Sequence, residues 1–354
     1  MVSLGKSRYH TRQTMPRPKL IPAGKLPPRL LEKLLRSCAV PASSGVVLGP
    51  RYGEDAAVIE TRGKYLVAKT DPITFTADHI GWYAVNINAN DLATMGAQPR
   101  WFLATFLFPE GRTTDALVEK VFGETLKACR SLGITLSGGH TEITVGLDRP
   151  IVVGQMLGEV EPGKLIRKES QRQGDLVILT KGVAIEGTTI LAYEKAGLLR
   201  GKIPASQLRK AQRLLQEPGI SVVRDAQVAI EHGEVHAMHD PTEGGVLTGL
   251  VEMARAGRVG LRVWKEKIPV LAETRRLAQV LNFDPLSLLA SGALLIAAEH
   301  SSAPRIINAL RRRRIAARII GEVRPAKDGI SVVEHGRAHA IKVPERDEIA
   351  RLLE

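Results

Sequence analysis

The chain has 354 residues, 44% hydrophobic and 25% charged, apolar material enough for one large domain or, the better expectation, two of ordinary size. No stretch approaches the ~18 uninterrupted apolar residues of a membrane span, and the basic start MVSLGKSRYHTR leads into no apolar signal core, so a soluble cytoplasmic protein is expected. The two cysteines, Cys38 and Cys129, belong to no CxxC or Cys/His cluster, and the formal net charge is +13.

That charge is uneven. Residues 1–36 hold nine Lys/Arg against the single acid Glu32, with five prolines, and read as an extended basic arm running into the first helix. A second cluster, Arg311 to Arg314, lies in PRIINALRRRRIAARII. Nucleic acid or an acidic partner is conceivable at either patch, but aromatics are only 4% and none interleave with the charges, so a solvated basic surface is favoured.

After the arm, LLEKLLR suggests a short helix and VPASSGVVLGPRYG a loop of small residues. AAVIET and YLVAKT read as strands joined by a turn at Arg62 and Gly63. HIGWYAVNINANDLATM has helical character, with Gly96 as its stop. RWFLATFLF is an apolar strand. A helix from about Thr114 to Leu132 ends at Gly133 and carries Cys129 on its apolar stripe, as a buried thiol; ITLSG and RPIVVGQMLGEV are further strands. The polar run EPGKLIRKESQRQGD reads as the hinge between an N-terminal domain over 37–160 and a C-terminal domain over 161–354. Beyond it DLVILTKG opens a second block of alternating strands and helices. Both halves are mixed α/β units, α+β overall, without a tandem repeat.

Five segments carry the candidate chemistry: GEDAAV (53–58), KTDP (69–72), NINANDLATMGA (86–97), SGGHTE (137–142) and HDPTEGG (239–245). Any one aspartate among them is most simply a helix cap or turn residue. Together, Asp55, Asp71, Asp91 and Asp240 at the edges of predicted elements need compensation, because a buried charge is costly unless paired. Magnesium on nucleotide phosphates would supply it, taking hard oxygen ligands in octahedral geometry. Gly138 and Gly139, and Gly244 and Gly245 at a helix start, admit close approach of backbone N–H groups to an anion. No GxxxxGK[ST] or kinase-type GxGxxG run is present, which excludes the two commonest ATP-binding designs. On a helix Asn88 shares a face with Asp91, and Asn86 with Asn90; such amides either hold a metal-bound water or phosphate oxygen, or form a neutral ladder between packed elements.

GEDAAV, KTDP, NANDLATMGAQP, GGHTE, DPTEGG and FDPLSLLASG, in this order, resemble the superfamily named for aminoimidazole ribonucleotide synthetase. That superfamily includes thiamine-monophosphate kinase, selenophosphate synthetase and the hydrogenase expression/formation protein HypE; HDPTEGGVLTGLVEMA and FDPLSLLASG look most like the HypE branch. The likeness spans about Val46 to Val323. It implies Asp55, Asp71 and Asp91 as magnesium ligands, Asp240 completing the ATP site as a further ligand, and Gly138, Gly139 and Thr141 against the phosphates. Asn88, Asn90, Gly244 and Gly245 join them as nucleotide-site candidates, and Asp71, Asp91 and His140 as those nearest the chemistry. His140 replaces an acid usual in HypE; hydrogen-bonding a phosphate or orienting an aspartate suits it better than magnesium ligation. The resemblance further implies a homodimer through the N-terminal domains and ATP-dependent activation of an oxygen or related nucleophile on an unidentified small molecule or protein group. A metabolite kinase, or a non-catalytic nucleotide-binding partner in a maturation complex, are the alternatives. The chain ends VPERDEIARLLE, without the terminal cysteine of HypE, so carbamoyl dehydration on its own tail is not expected; nor, without the reactive cysteine and lysine of selenophosphate synthetase, is selenide activation.

Overall fold

A computed structural model describes residues 21, 26–344 and 348–354. Most of the basic arm therefore lies outside the described residues. The first half comprises α1 (Pro28–Arg36), β1 (Val46–Leu48), β2 (Ala57–Thr61), β3 (Lys64–Ile73), α2 (Ile80–Thr94), β4 (Gln98–Pro109), α3 (Asp115–Leu132), β5 (Thr135–Thr144) and β6 (Ile151–Val160). The second comprises β7 (Leu176–Thr180), α4 (Ile185–Glu194), α5 (Ala196–Leu199), α6 (Ala205–Arg213), α7 (Val223–His232), β8 (Val235–His239), α8 (Gly245–Gly257), β9 (Gly260–Trp264), α9 (Ala272–Leu281), β10 (Leu295–Ala298), α10 (Ala303–Arg312), β11 (Ala317–Arg324), β12 (Ile330–Glu334), β13 (Arg337–Ala340) and α11 (Glu348–Leu353). This is the expected α+β arrangement of two mixed units. No described helix is long and apolar enough to cross a membrane.

The first sheet has the order β1-β2-β3-β6-β4-β5, antiparallel except where β5 runs parallel to β4. Strand alternation gives it two unlike faces. Phe102, Ala104, Phe106 and Phe108 of β4 are buried beneath α2 and α3, whereas Trp101, Leu103 and Leu107 on the other face stay half-buried. Helix α3 starts where the Thr114 hydroxyl accepts the Leu117 N–H and stops at Gly133 in the left-handed region, with Cys129 buried as expected.

The second sheet has the order β13-β12-β9-β11-β7-β10-β8, and its strands β7, β10 and β8 are covered on both faces. Along β7, Val177 and Leu179 join the core under α8, while Ile178 points to the opposite core with α7 and α10. A third core runs through both halves, joining Ile80, Tyr83 and Ile87 of α2 to Ile185, Leu191 and Leu288.

Two expectations change. The run EPGKLIRKESQRQGD is not a hinge but a packed strap, despite its polarity. Lys168 is 1% exposed and donates to the Gly53 carbonyl at 2.5 Å, the Ile166 N–H donates to Met95, and the Gln171 amide donates to Met253 of α8. Lys168 and Glu169 find partners in the first half and Arg172 and Asp175 in the second, which the sequence pattern does not reveal. Strand β5, in turn, does not end at Gly138 but runs on to Thr144, because both glycines accept an extended conformation beside β4.

Candidate metal and nucleotide site

The site forms where three local structures meet. The loop between β1 and β2 supplies Asp55; β3 supplies Lys69 and Asp71, two positions apart and so on one face; α2 supplies Asn88, Asp91 and Thr94. From the second half, the β8–α8 connection brings His239 and Asp240. Asp71 lies inside β3 rather than at its end.

Lys69 links two of the acids, its Nζ 3.0 Å from Asp91 Oδ2 and 3.5 Å from Asp71 Oδ2. Asp55 is held on three sides: Lys168 Nζ at 2.7 Å, the Thr94 hydroxyl donating at 2.9 Å, and His239 Nδ1 at 3.0 Å. The far side of that imidazole, Nε2, lies 3.2 Å from Glu252. Asp240 is different. It is 1% exposed and neither of its carboxyl oxygens has a hydrogen-bond partner, yet ligand atoms of Asp55, His239 and Asp240 all lie within 4.8 Å of one another.

Burial sets the electrostatics, and neighbours then divide the acids. Asp55 is pushed up by burial, but Lys168 and His239 outweigh it and hold it well below the carboxylate range. Asp91 is pushed up to about 7 by burial and by Asp55 and Asp71, against the pull of Lys69. Asp240 is raised well above its ordinary value by burial and by the charges of Asp91 and Asp55. Fully ionised, Asp55, Asp71, Asp91 and Asp240 face two ammonium groups, Lys69 and Lys168, an excess of two negative charges. The unpartnered Asp240 oxygens and this excess fit a divalent cation held by oxygen ligands.

The amides divide as well. Asn88 donates to the Asp71 carbonyl at 3.3 Å and to Ala84 at 2.8 Å, leaving its own buried carbonyl oxygen unpartnered. Asn90 is not aimed at a ligand. Its side chain donates to Ile220 at 2.9 Å and accepts the Val222 N–H at 2.8 Å, clamping α2 to the second half; the neutral ladder wins there because α2 is buried between the two halves. Asn86 donates to Trp82 within its own helix.

The glycines also differ from expectation. A Cβ on Gly139 would lie 1.9 Å from the Ala104 carbonyl oxygen, so strand packing demands this glycine. Asp71, Gly154, Ala104 and Gly139 form one row across the sheet, which places Gly139 about 14 Å from Asp71 at ~4.8 Å per strand. Gly138, His140 and Thr141 therefore sit outside the acid cluster of their own chain; His140 is 64% exposed and contacts Glu142 at 3.1 Å. Gly244 and Gly245 do start α8, both in the left-handed region, but the Gly245 N–H already donates to Thr242 and a Cβ there would strike the Leu286 carbonyl.

Lys69 and His239 adjoin expected aspartates within KTDP and HDPTEGG, so their side-chain chemistry was open to view there. Lys168 carries no such signal, standing in a charged linker.

Two family models cover most of the chain. The N-terminal domain of AIR synthase related proteins matches residues 53–160, and the C-terminal domain of the same family matches 172–334. The chain belongs to the AIR synthase related family. Among its curated relatives, a putative hydrogenase expression/formation protein of Methanocaldococcus jannaschii is 27% identical, over 93% of this chain and 97% of that protein. The carbamoyl dehydratase HypE of Cupriavidus necator is 29% identical, over 77% of each. The same fold appears in a solved HypE in complex with ATP, with a TM-score of 0.66 and 24% identity over 84% of this chain and 90% of that one.

Proposed function

We propose that this AIR synthase related chain is a Mg-ATP-dependent enzyme that phosphorylates or otherwise activates an oxygen of a small molecule or protein group. The observation that carries the reading is the meeting of Asp55 and Asp240 from the two halves, with Asp91 near both and Asp240 buried and unpartnered. That a family relative of this fold was solved with ATP supports it. When bound, magnesium would neutralise phosphate charge and align the transferred group.

The chain's own residues do the rest. Lys69 holds Asp91 and Asp71 at a fixed spacing, and Lys168 with His239 fixes Asp55, so that the ligand set keeps its shape before a cation arrives. Asp71 also reaches the mouth of a cleft between the two halves, where an acceptor would meet the nucleotide. Asp55, Asp71, Asp91 and Asp240 are the proposed metal ligands, and Asn88 the amide beside them. The half-buried sheet face around Trp101, Leu103 and Leu107 supports a homodimer, through which Gly138, Gly139, His140 and Thr141 of one chain would approach the nucleotide of its partner. Light scattering with Leu103→Glu, expected monomeric, tests that part.

The central experiment is ADP release by the purified protein with magnesium, compared with Asp71→Asn. Turnover in the wild type, lost in the variant, is expected. Nucleotide binding without turnover across candidate acceptors would instead favour a non-catalytic partner protein.

A further inference from the structure

Two lysines serve the acid cluster, and they are held differently. Lys168 is sealed in: its side chain is 2% exposed, and its ammonium donates to the Gly53 carbonyl while it pairs with Asp55. Lys69 instead shares its ammonium between two carboxylates, Asp91 at 3.0 Å and Asp71 at 3.5 Å, and its side chain is 22% exposed. Among the described residues no carbonyl anchors it.

The same contrast in exposure marks where the cluster opens. The side chains of Asp55, Asp91 and His239 are each less than a tenth exposed, and Asp240 is almost fully buried. Asp71 and Lys69, two positions apart on one face of β3, are the members that reach solvent. A phosphate chain moving towards the buried acids therefore meets the Lys69 ammonium at the mouth, on a stem of four flexible carbons.

We propose that Lys69 is a movable counter-ion: in the empty site it stands in for the divalent cation on Asp71 and Asp91, and in the loaded site it turns to the nucleotide phosphates. The assignment rests on the Mg-ATP reading above. Charge dictates the exchange. A divalent cation on Asp71 and Asp91 takes over the anions that Lys69 now neutralises, and an ammonium left at that distance is repelled by it. The phosphates then offer Lys69 new acceptors at the mouth, and an ammonium binds them as a point charge without a demanding geometry. Lys168 is unsuited to this part, because its departure would strand the buried Asp55.

Lys69→Met separates the two roles, since they carry opposite signs. Mn2+ binding without nucleotide, read by electron paramagnetic resonance on the full chain, should tighten about fivefold once the competing ammonium is gone. Calorimetry with ATP at saturating magnesium should show nucleotide binding weakened about tenfold, the loss of one charge-assisted hydrogen bond. Lys69→Gln, which keeps a donor but no charge, should shift both affinities in the same two directions, and it decides the matter if Lys69→Met does not fold. A residue that merely braces the acids would weaken Mn2+ and ATP together, and a spectator would move neither. Any folded variant without the two opposite shifts overturns the assignment. Wild-type protein that fails to bind Mg-ATP sinks the preceding reading, whatever the variants do to Mn2+; intact wild-type binding with the wrong variant pattern sinks only the role of Lys69.

Discussion

Asp55 and Asp240 lie side by side, yet their substitution should have unequal consequences for stability. Asp55 neutralises a buried lysine, so Asp55→Asn leaves Lys168 uncompensated and should cost about 3 kcal/mol in urea unfolding of the apoprotein. Asp240 has no partner to strand, and Asp240→Asn should stay within about 1 kcal/mol of wild type. Both should lower Mg-dependent nucleotide affinity at least about tenfold by calorimetry. Glu186 gives a pH signature. Its acid is raised from 4.5 to about 8 in the fold, so the native state keeps a proton that the unfolded chain releases. Its stabilising share is complete below 4.5 and is lost as pH rises through about 8, up to a few kcal/mol. Thermal melts from pH 5 to 9 should show the wild type losing stability relative to Glu186→Gln as pH rises. The four aspartates were legible in the sequence because each stood in a short motif of acids and small residues in or beside a predicted element. Glu186 was not, since a lone acid in VAIEGTTILA carries no spacing that distinguishes a buried group from an exposed one.

At the scale of elements, hydrophobic periodicity located strands β2, β3, β4 and β6 and helices α2 and α3, whose caps and glycine stops fall where the sequence put them. It misjudged β5 and the strap. The sequence reading ended this strand at Gly138 and gave the glycines to an anion, whereas the fold uses the missing side chain of Gly139 to let β5 lie against the Ala104 backbone. A side chain there has to displace backbone, not a flexible neighbour. Gly139→Ala should therefore detach β5, at a cost of about 2–4 kcal/mol, and hydrogen exchange should rise selectively over residues 135–144. Unchanged protection of β5 would contradict this account of the glycine. The strap escaped sequence reading for a different reason: Lys168 and Gln171 find their partners in loops and helices more than 80 residues away, and composition alone made the segment look solvated.

For the whole molecule, the decisive feature is that one core and one cluster of buried acids are each shared by the two halves. Asn90 is the polar part of that union, gripping the backbone of Ile220 and Val222 from the middle of α2. Asn90→Ala strands a buried carbonyl and a buried N–H together and should lower stability by about 2–4 kcal/mol. Because the core from α2 to α4 crosses between the halves, the loss should appear as one cooperative transition moved to lower denaturant, with fluorescence and far-UV circular dichroism still coincident. Two separated transitions would show instead that the halves are independent and that the clamp is incidental. Mg-ATP supplies the converse test. Asp55 and Asp91 come from the first half and Asp240 from the second, so a ligand bound to all three binds only the docked arrangement. At a nucleotide concentration a hundredfold above Kd it should return about 2.7 kcal/mol to the Asn90→Ala protein. The same nucleotide without magnesium should return far less, since no cation then joins Asp55, Asp91 and Asp240 to the phosphates.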